Sequence, residues 1–138
     1  MPVLGGQSHD SKGFTPVIFD EVPKDDPLAH EEIFGPVLSV LTVESADEAM
    51  HLANQSSYGL TASIFSANAK TALRAARQIK AGTVTVNCYS EGDITTPFGG
   101  FKQSGFGGRD NGLDAHYQFT QTKTIWLDLN DDAPDQIG

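Results

Sequence analysis

Leu60-Thr61-Ala62-Ser63-Ile64-Phe65, the stretch from Asn68 to Ile79, and Gly82-Thr83-Val84-Thr85-Val86 decide the fold. The first and last pieces alternate with the period of two expected of strands. Between them Ala69, Ala72, Leu73, Ala76 and Ile79 fall on one helical face, with Lys70, Arg74 and Arg77 on the opposite, solvated face. Asn68 suits the N-cap, and Gly82 stands where a left-handed C-cap belongs. The same unit precedes it. Val37-Leu38-Ser39-Val40-Leu41-Thr42-Val43 is a β-branched run of strand length, expected to be buried on both faces. Ser45-Ala46-Asp47-Glu48 is a capping box, followed by an inner helical face of Ala46, Ala49, Met50 and Ala53. Strands thus begin at 37, 60 and 83, each 23 residues after the last. Crossovers of that length, each holding one helix, imply adjacent parallel strands wound right-handedly. The expected class is α/β, with a parallel β-α-β-α-β sheet. The two units share no sequence identity, so this is not a repeat.

Working outward, Gly5 to Gly13 reads as a loop, and Pro16 to Val22 as an edge strand with Pro at its first position. Residues 88 to 112 hold seven glycines (92, 99, 100, 105, 107, 108 and 112) and almost no periodicity, which marks a long loop of the kind that is either functional or disordered. Phe98, Phe101 and Phe106 argue that it is ordered. A short helical piece from Leu113 to Phe119 follows, then an alternating strand from Thr122 to Leu129, then an acidic tail over 130–138 expected to fray.

Composition narrows the function. The 138 residues carry eighteen acids against nine Lys and Arg, a formal charge of −9. That balance disfavours a nucleic-acid partner, whose phosphates need clustered bases, and disfavours an anionic membrane surface. No apolar run approaches the roughly 20 residues that span a bilayer. Met1-Pro2-Val3-Leu4-Gly5-Gly6 lacks the charged and apolar regions of a signal peptide. The single Cys rules out a disulfide framework and fits a reducing, cytoplasmic compartment.

Candidate chemistry is sparse. Gly100 and Gly105 have the spacing of a phosphate loop, but Phe106-Gly107 replaces its Lys-Ser/Thr pair. Gly105-Phe106-Gly107-Gly108-Arg109-Asp110 lacks the last Gly of a dinucleotide fingerprint. Cys88 is the one thiol, and its acidic neighbours Glu91 and Asp93 oppose a thiolate, so a small, partly buried cysteine outweighs a nucleophile. His9, His30, His51 and His116 show no metal-ligand spacing, and no metal is expected. Glu31-Glu32-Ile33-Phe34-Gly35-Pro36 places two carboxylates and an aromatic on a turn feeding a strand. By periodicity alone Glu31, Glu32, Glu91 and Asp93 are solvent-facing.

Together these segments resemble the aldehyde dehydrogenase superfamily. Glu31 to Val37 is similar to its E-E-x-F-G-P-V segment, and Tyr58-Gly59-Leu60-Thr61-Ala62 to its Y-G-L-x-A/G segment. Gly82 to Asn87, then Pro97-Phe98-Gly99-Gly100-Phe101-Lys102-Gln103-Ser104-Gly105, resemble its G-x-v-x-v-N and P-F-G-G-x-K-x-S-G runs. The resemblance spans Gly5 to Leu129 and matches only the C-terminal part of a family member. Asn87 to Thr96 and Gly105 to Asp110 look like members acting on ω-amino aldehydes, the γ-glutamyl-γ-aminobutyraldehyde and guanidinobutyraldehyde dehydrogenases of polyamine and arginine catabolism.

The resemblance implies a reaction: a Cys thiolate attacks an aldehyde, hydride passes to NAD or NADP, and a Glu-activated water releases the acid. It places Glu32 at the nicotinamide-ribose hydroxyls, Phe34 beside the nicotinamide ring, and Phe98 in the aldehyde pocket. It places Cys88, Tyr89, Glu91 and Asp93 in the loop that closes the substrate mouth, where an acid can meet a cationic or amide-bearing tail. Residues 1–121 become part of a catalytic domain, and Thr122 to Leu129 a strand that joins a sheet of another subunit in a homo-oligomer. The departures weigh as much. The family's nucleophilic Cys, water-activating Glu, oxyanion Asn and dinucleotide domain lie outside these segments, and Cys88 aligns with the mouth loop. The chain is therefore expected to be inactive alone, and an assembly module that dimerises through its last strand is the alternative.

Overall fold

Each helix begins where a side chain takes up an amide that the helix itself cannot bond. Ser45 Oγ accepts from Glu48 N at 3.1 Å and starts α1 (Ala46–Gln55). Asn68 Oδ1 accepts from Thr71 N at 3.0 Å and starts α2 (Ala69–Gln78). Glu48 completes the box one residue further back than expected, its Oε2 accepting from Glu44 N at 2.8 Å. Its other oxygen pairs with Lys24. The Lys24 ammonium first, then the Glu44 amide, hold the Glu48 carboxyl below its ordinary value.

The computed structural model describes residues 2–5, 8–9, 13–89 and 92–129. The strands are β1 (Pro2–Leu4), β2 (Ser8–His9), β3 (Gly13–Phe14), β4 (Val17–Phe19), β5 (Val37–Ser39), β6 (Tyr58–Gly59), β7 (Thr61–Ile64), β8 (Thr83–Val86) and β9 (Phe101–Lys102). Short 3₁₀ helices cover Pro27–Ala29 and Leu113–Phe119, the second where the sequence places it. The expected crossover unit is present at β7–α2–β8, parallel from Thr61↔Thr83 to Ile64↔Val86. A second sheet runs β1-β4-β5, its β4 and β5 parallel and its β1 antiparallel. The chain is thus mixed α/β with parallel strands.

Several expectations shift. The strand at 37 does not lie beside the strand at 61; β5 pairs with β4, Val17↔Val37 to Phe19↔Ser39. The stretch from Pro16 to Val22 is accordingly no edge: β1 takes its other side, and Pro16 stays outside the ladder where its missing N–H costs nothing. Residues 37–43 are not buried on both faces, because β5 closes that sheet and Leu38 remains 55% exposed. In α1 Met50 is the buried residue, while Ala46 and Ala53 face outward. In α2 the buried stripe is Ala72 and Ala75 rather than a face through Leu73, since two alanines let the helix sit close on β7 and β8. Lys70, Arg74 and Arg77 face solvent as expected, and Arg74 Nη1 meets Asp47 Oδ1 at 2.9 Å across the two helices. Residues 122–129 join no sheet among the described residues, because a strand exists through its ladder and this chain offers none there. The expected loop over 5–13 is instead paired where it is described, β2 with β3 antiparallel, Ser8↔Phe14 and His9↔Gly13; its other residues except Gly5, and the acidic tail over 130–138, lie outside the described residues.

Gly82 also has another task. Helix α2 ends on an extended Ile79, and Asn54 handles the terminus: its Nδ2 donates to Gln78 O at 2.9 Å and its Oδ1 accepts from Lys80 N at 2.7 Å. Gly82 instead lets the loop backbone close in, for a Cβ there would lie 1.6 Å from the Gly99 carbonyl oxygen. The buried apolar side chains among the described residues are Val17, Val22, Met50, Ala72, Ala75 and Ala81, so this backbone contact weighs heavily against a small core.

Gly82→Ala is expected to lower stability by about 1–3 kcal/mol or more, the ordinary cost of forcing an atom into packed space. Gly92→Ala, with open space around its Cβ, is expected to change little. Urea midpoints of the two variants and the parent check this; equal midpoints would remove Gly82 as a packing constraint.

Candidate functional site

The glycine-rich loop is ordered by a set of fixed bonds rather than by helix or sheet. Phe98 and Asp110 exchange backbone bonds, Phe98 N to Asp110 O at 2.7 Å and Asp110 N to Phe98 O at 2.6 Å. Gly112 N donates to Ile94 O at 2.8 Å, which brings Asn111 back over the loop's first part. Lys102 Nζ donates to Asn54 O at 3.1 Å and Ser56 O at 2.7 Å, satisfying carbonyls at the C-terminal end of α1, where a cation also suits the dipole. Ser104 Oγ accepts from Gly59 N at 3.1 Å. The P-F-G-G-F-K-Q-S-G run is thus a clasp on the Ser56–Gly59 turn.

Beyond the clasp, β7, β8 and the loop enclose a cavity of about 520 Å³. Tyr89, Asp93 and Phe98, three of the residues singled out for a substrate pocket, line it together. Cys88 does not line it; it is half-buried, and its carbonyl accepts from Thr85 Oγ1 at 2.9 Å. Glu91 lies outside the described residues. The sequence reading missed Ile94, Thr96 and Asn111 on the loop, and Thr61, Ser63, Thr83 and Thr85 on the strands. The period-two hydroxyls in both strands were the available signal for the last four. Thr85 gives its one proton to Cys88 O, so Ser63 Oγ donates to Thr85 Oγ1 across the pair at 2.8 Å.

Electrostatically the described residues of the cavity lining include one carboxylate and no Lys or Arg. Asp93 Oδ1 accepts from Thr95 Oγ1 at 2.5 Å, from Thr95 N at 2.8 Å and from Thr96 Oγ1 at 3.5 Å. The Thr95 hydroxyl first, then its amide, hold the carboxyl below its ordinary 3.8. Asp93 is therefore both a turn former and an anion at the cavity wall.

Glu31 to Gly35, with Val37 and Ser39, border a separate hollow of about 410 Å³. Phe34 adopts φ +54° there and is 92% exposed. A bulky residue in the left-handed region costs roughly 1–3 kcal/mol and is a feature of functional turns. Glu32 is exposed, with no ion pair or hydrogen bond to another described residue. An unengaged carboxylate beside a bare aromatic fits a ribose diol and a flat ring; among the described residues no Lys or Arg lines the hollow to meet a phosphate. Among the described residues no group of three or more His, Cys, Asp or Glu is placed to hold a metal. No helix of the described residues is long and apolar enough to cross a membrane.

The aldehyde dehydrogenase family model matches residues 1–125. The chain belongs to the aldehyde dehydrogenase family. Aminoacetaldehyde dehydrogenase of Pseudomonas aeruginosa is 51% identical over 127 residues, which are 92% of this chain and 26% of that protein. The backbone matches AldA indole-3-acetaldehyde dehydrogenase of P. syringae, solved with NAD+ and IAA, at TM-score 0.86 and 47% identity, over 94% of this chain and 27% of that one. It matches γ-glutamyl-γ-aminobutyraldehyde dehydrogenase of Burkholderia cenocepacia at TM-score 0.77 and 46% identity, over 83% of this chain and 24% of that one. The chain spans about a quarter of the length of the relatives it matches.

Asp93 sets a pH test whose sign follows from its depressed carboxyl. Its bonds to Thr95 stabilise the loop at pH values above 3.8 and are lost as pH falls through the lower folded-state value. The Thr95 amide shift, followed by NMR, is expected to titrate with a midpoint below 3.8 and to lose that titration in Asp93→Asn. A midpoint at or above 3.8 in the parent would contradict the bonding described.

Proposed function

We propose that this chain forms one wall of an NAD(P)-dependent aldehyde-oxidising site that prefers aldehydes bearing a cationic or amide tail. The observation that carries the reading is the Asp93 carboxylate on a cavity lined elsewhere by strand hydroxyls, Tyr89, Phe98, Ile94 and Asn111, with no Lys or Arg among the described lining residues. Relatives named for aminoacetaldehyde and γ-glutamyl-γ-aminobutyraldehyde support it.

In this reading Phe98 and Tyr89 wall the pocket and exclude water, and Asp93 draws in and orients the substrate tail. Glu32 accepts hydrogen bonds from the nicotinamide-ribose hydroxyls, and Phe34 lies beside the ring. Bound NAD(P) supplies the hydride acceptor. No thiol lines the cavity among the described residues, so the nucleophile comes from elsewhere and the chain alone turns nothing over. A second reading, assembly of copies through 122–129, is favoured by one observation: Ile125, Trp126, Leu127 and Leu129 are 72–92% exposed on an extended segment.

Three measurements check these readings. With an aldehyde and NAD+, the purified chain is expected to give no rise in NADH absorbance; a rate abolished by Cys88→Ala would overturn this. In a chimera carrying this chain in place of the matched quarter of the P. aeruginosa relative, Asp93→Asn keeps the Thr95 bonds and removes the charge. It is expected to lower kcat/KM about tenfold for an ω-amino aldehyde and to leave an alkanal of equal length unchanged. Equal loss on both would sink the tail-binding role. Light scattering is expected to show dimers or larger, and a clean monomer would remove the assembly reading.

A further inference from the structure

Asn111 differs from the other described asparagines in having nothing to hold its side chain. Asn54 bridges Gln78 O and Lys80 N, Asn68 accepts from Thr71 N, and Asn87 engages both the amide and the carbonyl of Ser66. The Asn111 side chain makes no hydrogen bond to another described residue. It is half-buried and lines the 520 Å³ cavity together with Asp93. Asn111 is also the one asparagine of the chain that glycine follows. A following glycine has no Cβ to hinder the approach of the asparagine side chain to its nitrogen, and asparagine is a labile residue.

The fold requires that glycine. Gly112 adopts φ +63° directly after Asn111 at φ +64°, a left-handed pair that asparagine and glycine tolerate best. A Cβ at Gly112 would lie 2.9 Å from the Thr95 carbonyl oxygen and 3.3 Å from Pro97 Cγ. The turn that returns the loop to its own start therefore brings a reactive pair with it. One bond restrains the pair. Gly112 N donates to Ile94 O at 2.8 Å, and a nitrogen so engaged neither gives up its proton nor turns toward the Asn111 side chain. Attack waits for local opening of the loop, so the open fraction sets the rate.

The chemistry balances with water alone. Hydroxide takes the Gly112 amide proton, the nitrogen bonds to Asn111 Cγ, and Nδ2 leaves as ammonia. Water then opens the cyclic imide at Cγ, giving aspartate, or at the Asn111 backbone carbonyl, giving isoaspartate. One neutral amide becomes one carboxylate, and nothing is oxidised or reduced.

We propose that Asn111 is a deamidation site latched by the Gly112–Ile94 bond, and that its product places a second carboxylate on the cavity wall. The modification is independent of what the cavity binds. Its effect on selectivity rests on the amino-aldehyde reading, since the new charge then adds to Asp93 in attracting a cationic tail.

The test ages the full chain in neutral and in mildly alkaline buffer, both folded and unfolded in guanidinium, and weighs its tryptic peptide 110–123. The acid form of Asn111 is expected to accumulate in the folded chain and faster at the higher pH, while Asn54, Asn68 and Asn87 stay amides. Its rate is expected to be roughly tenfold or more below that of the unfolded chain. No acid form in the folded chain, or equal conversion at all four asparagines, overturns the site. Equal rates in the folded and unfolded chain overturn the latch. In the chimera, Asn111→Asp is expected to raise kcat/KM for an ω-amino aldehyde over an alkanal of equal length roughly threefold, the size of a partly exposed charge pair. No change there, with Asp93→Asn still discriminating, overturns the added-charge effect and leaves the substrate reading intact. If neither variant discriminates, that effect falls together with the substrate reading, while the deamidation stands on the peptide mass.

Discussion

The approach of Gly82 to the Gly99 carbonyl is the constraint on which the described site depends. It joins the entrance of β8 to the middle of the glycine-rich loop, at a distance no side chain permits. With that contact made, Phe98 lies beside Asp110, Lys102 reaches the end of α1, and Ser104 meets the Gly59 amide. The loop then hangs over the parallel strands and encloses a cavity. Three elements distant in sequence therefore share one reference point made of backbone atoms.

The sequence was most legible where local chemistry and tertiary structure agree. Ser45 and Asn68 cap their helices through their own side chains, and β7–α2–β8 carries its pattern within a single crossover. The failures have one cause. Periodicity states which residues lie on one face, and not which element covers that face. Leu73 fits the helical stripe of α2 yet stands 57% exposed, because Ala72 and Ala75 set the closest approach. Val37 to Val43 reads as doubly buried, but its pairing with β4 leaves one side of the sheet open. Gly82 has the position of a C-cap, whereas its use depends on a carbonyl seventeen residues away in the chain.

The candidate site was legible in part for a related reason. Tyr89, Asp93 and Phe98 meet at one cavity because the loop between them is short and tied at both ends. The strand hydroxyls that face them carry no mark in the sequence beyond a period of two. Asp93 illustrates how one side chain carries two duties: one oxygen builds the turn, and the charge that remains colours the cavity. The Asn87 side chain works in a similar way without a charge. It accepts from Ser66 N at 2.8 Å and donates to Ser66 O at 3.0 Å, carrying the strand pairing past the last ladder bond and setting where the chain leaves β8.

Trp126 is the sole tryptophan of the chain, and it stands 92% exposed on the extended segment after the last 3₁₀ helix. An indole in water emits at the red end of its range, and one moved into an apolar setting emits further to the blue. The chain therefore contains an intrinsic fluorophore placed on an apolar, uncovered stretch. Its emission reports the covering of that stretch directly, without a label and without interference from a second indole.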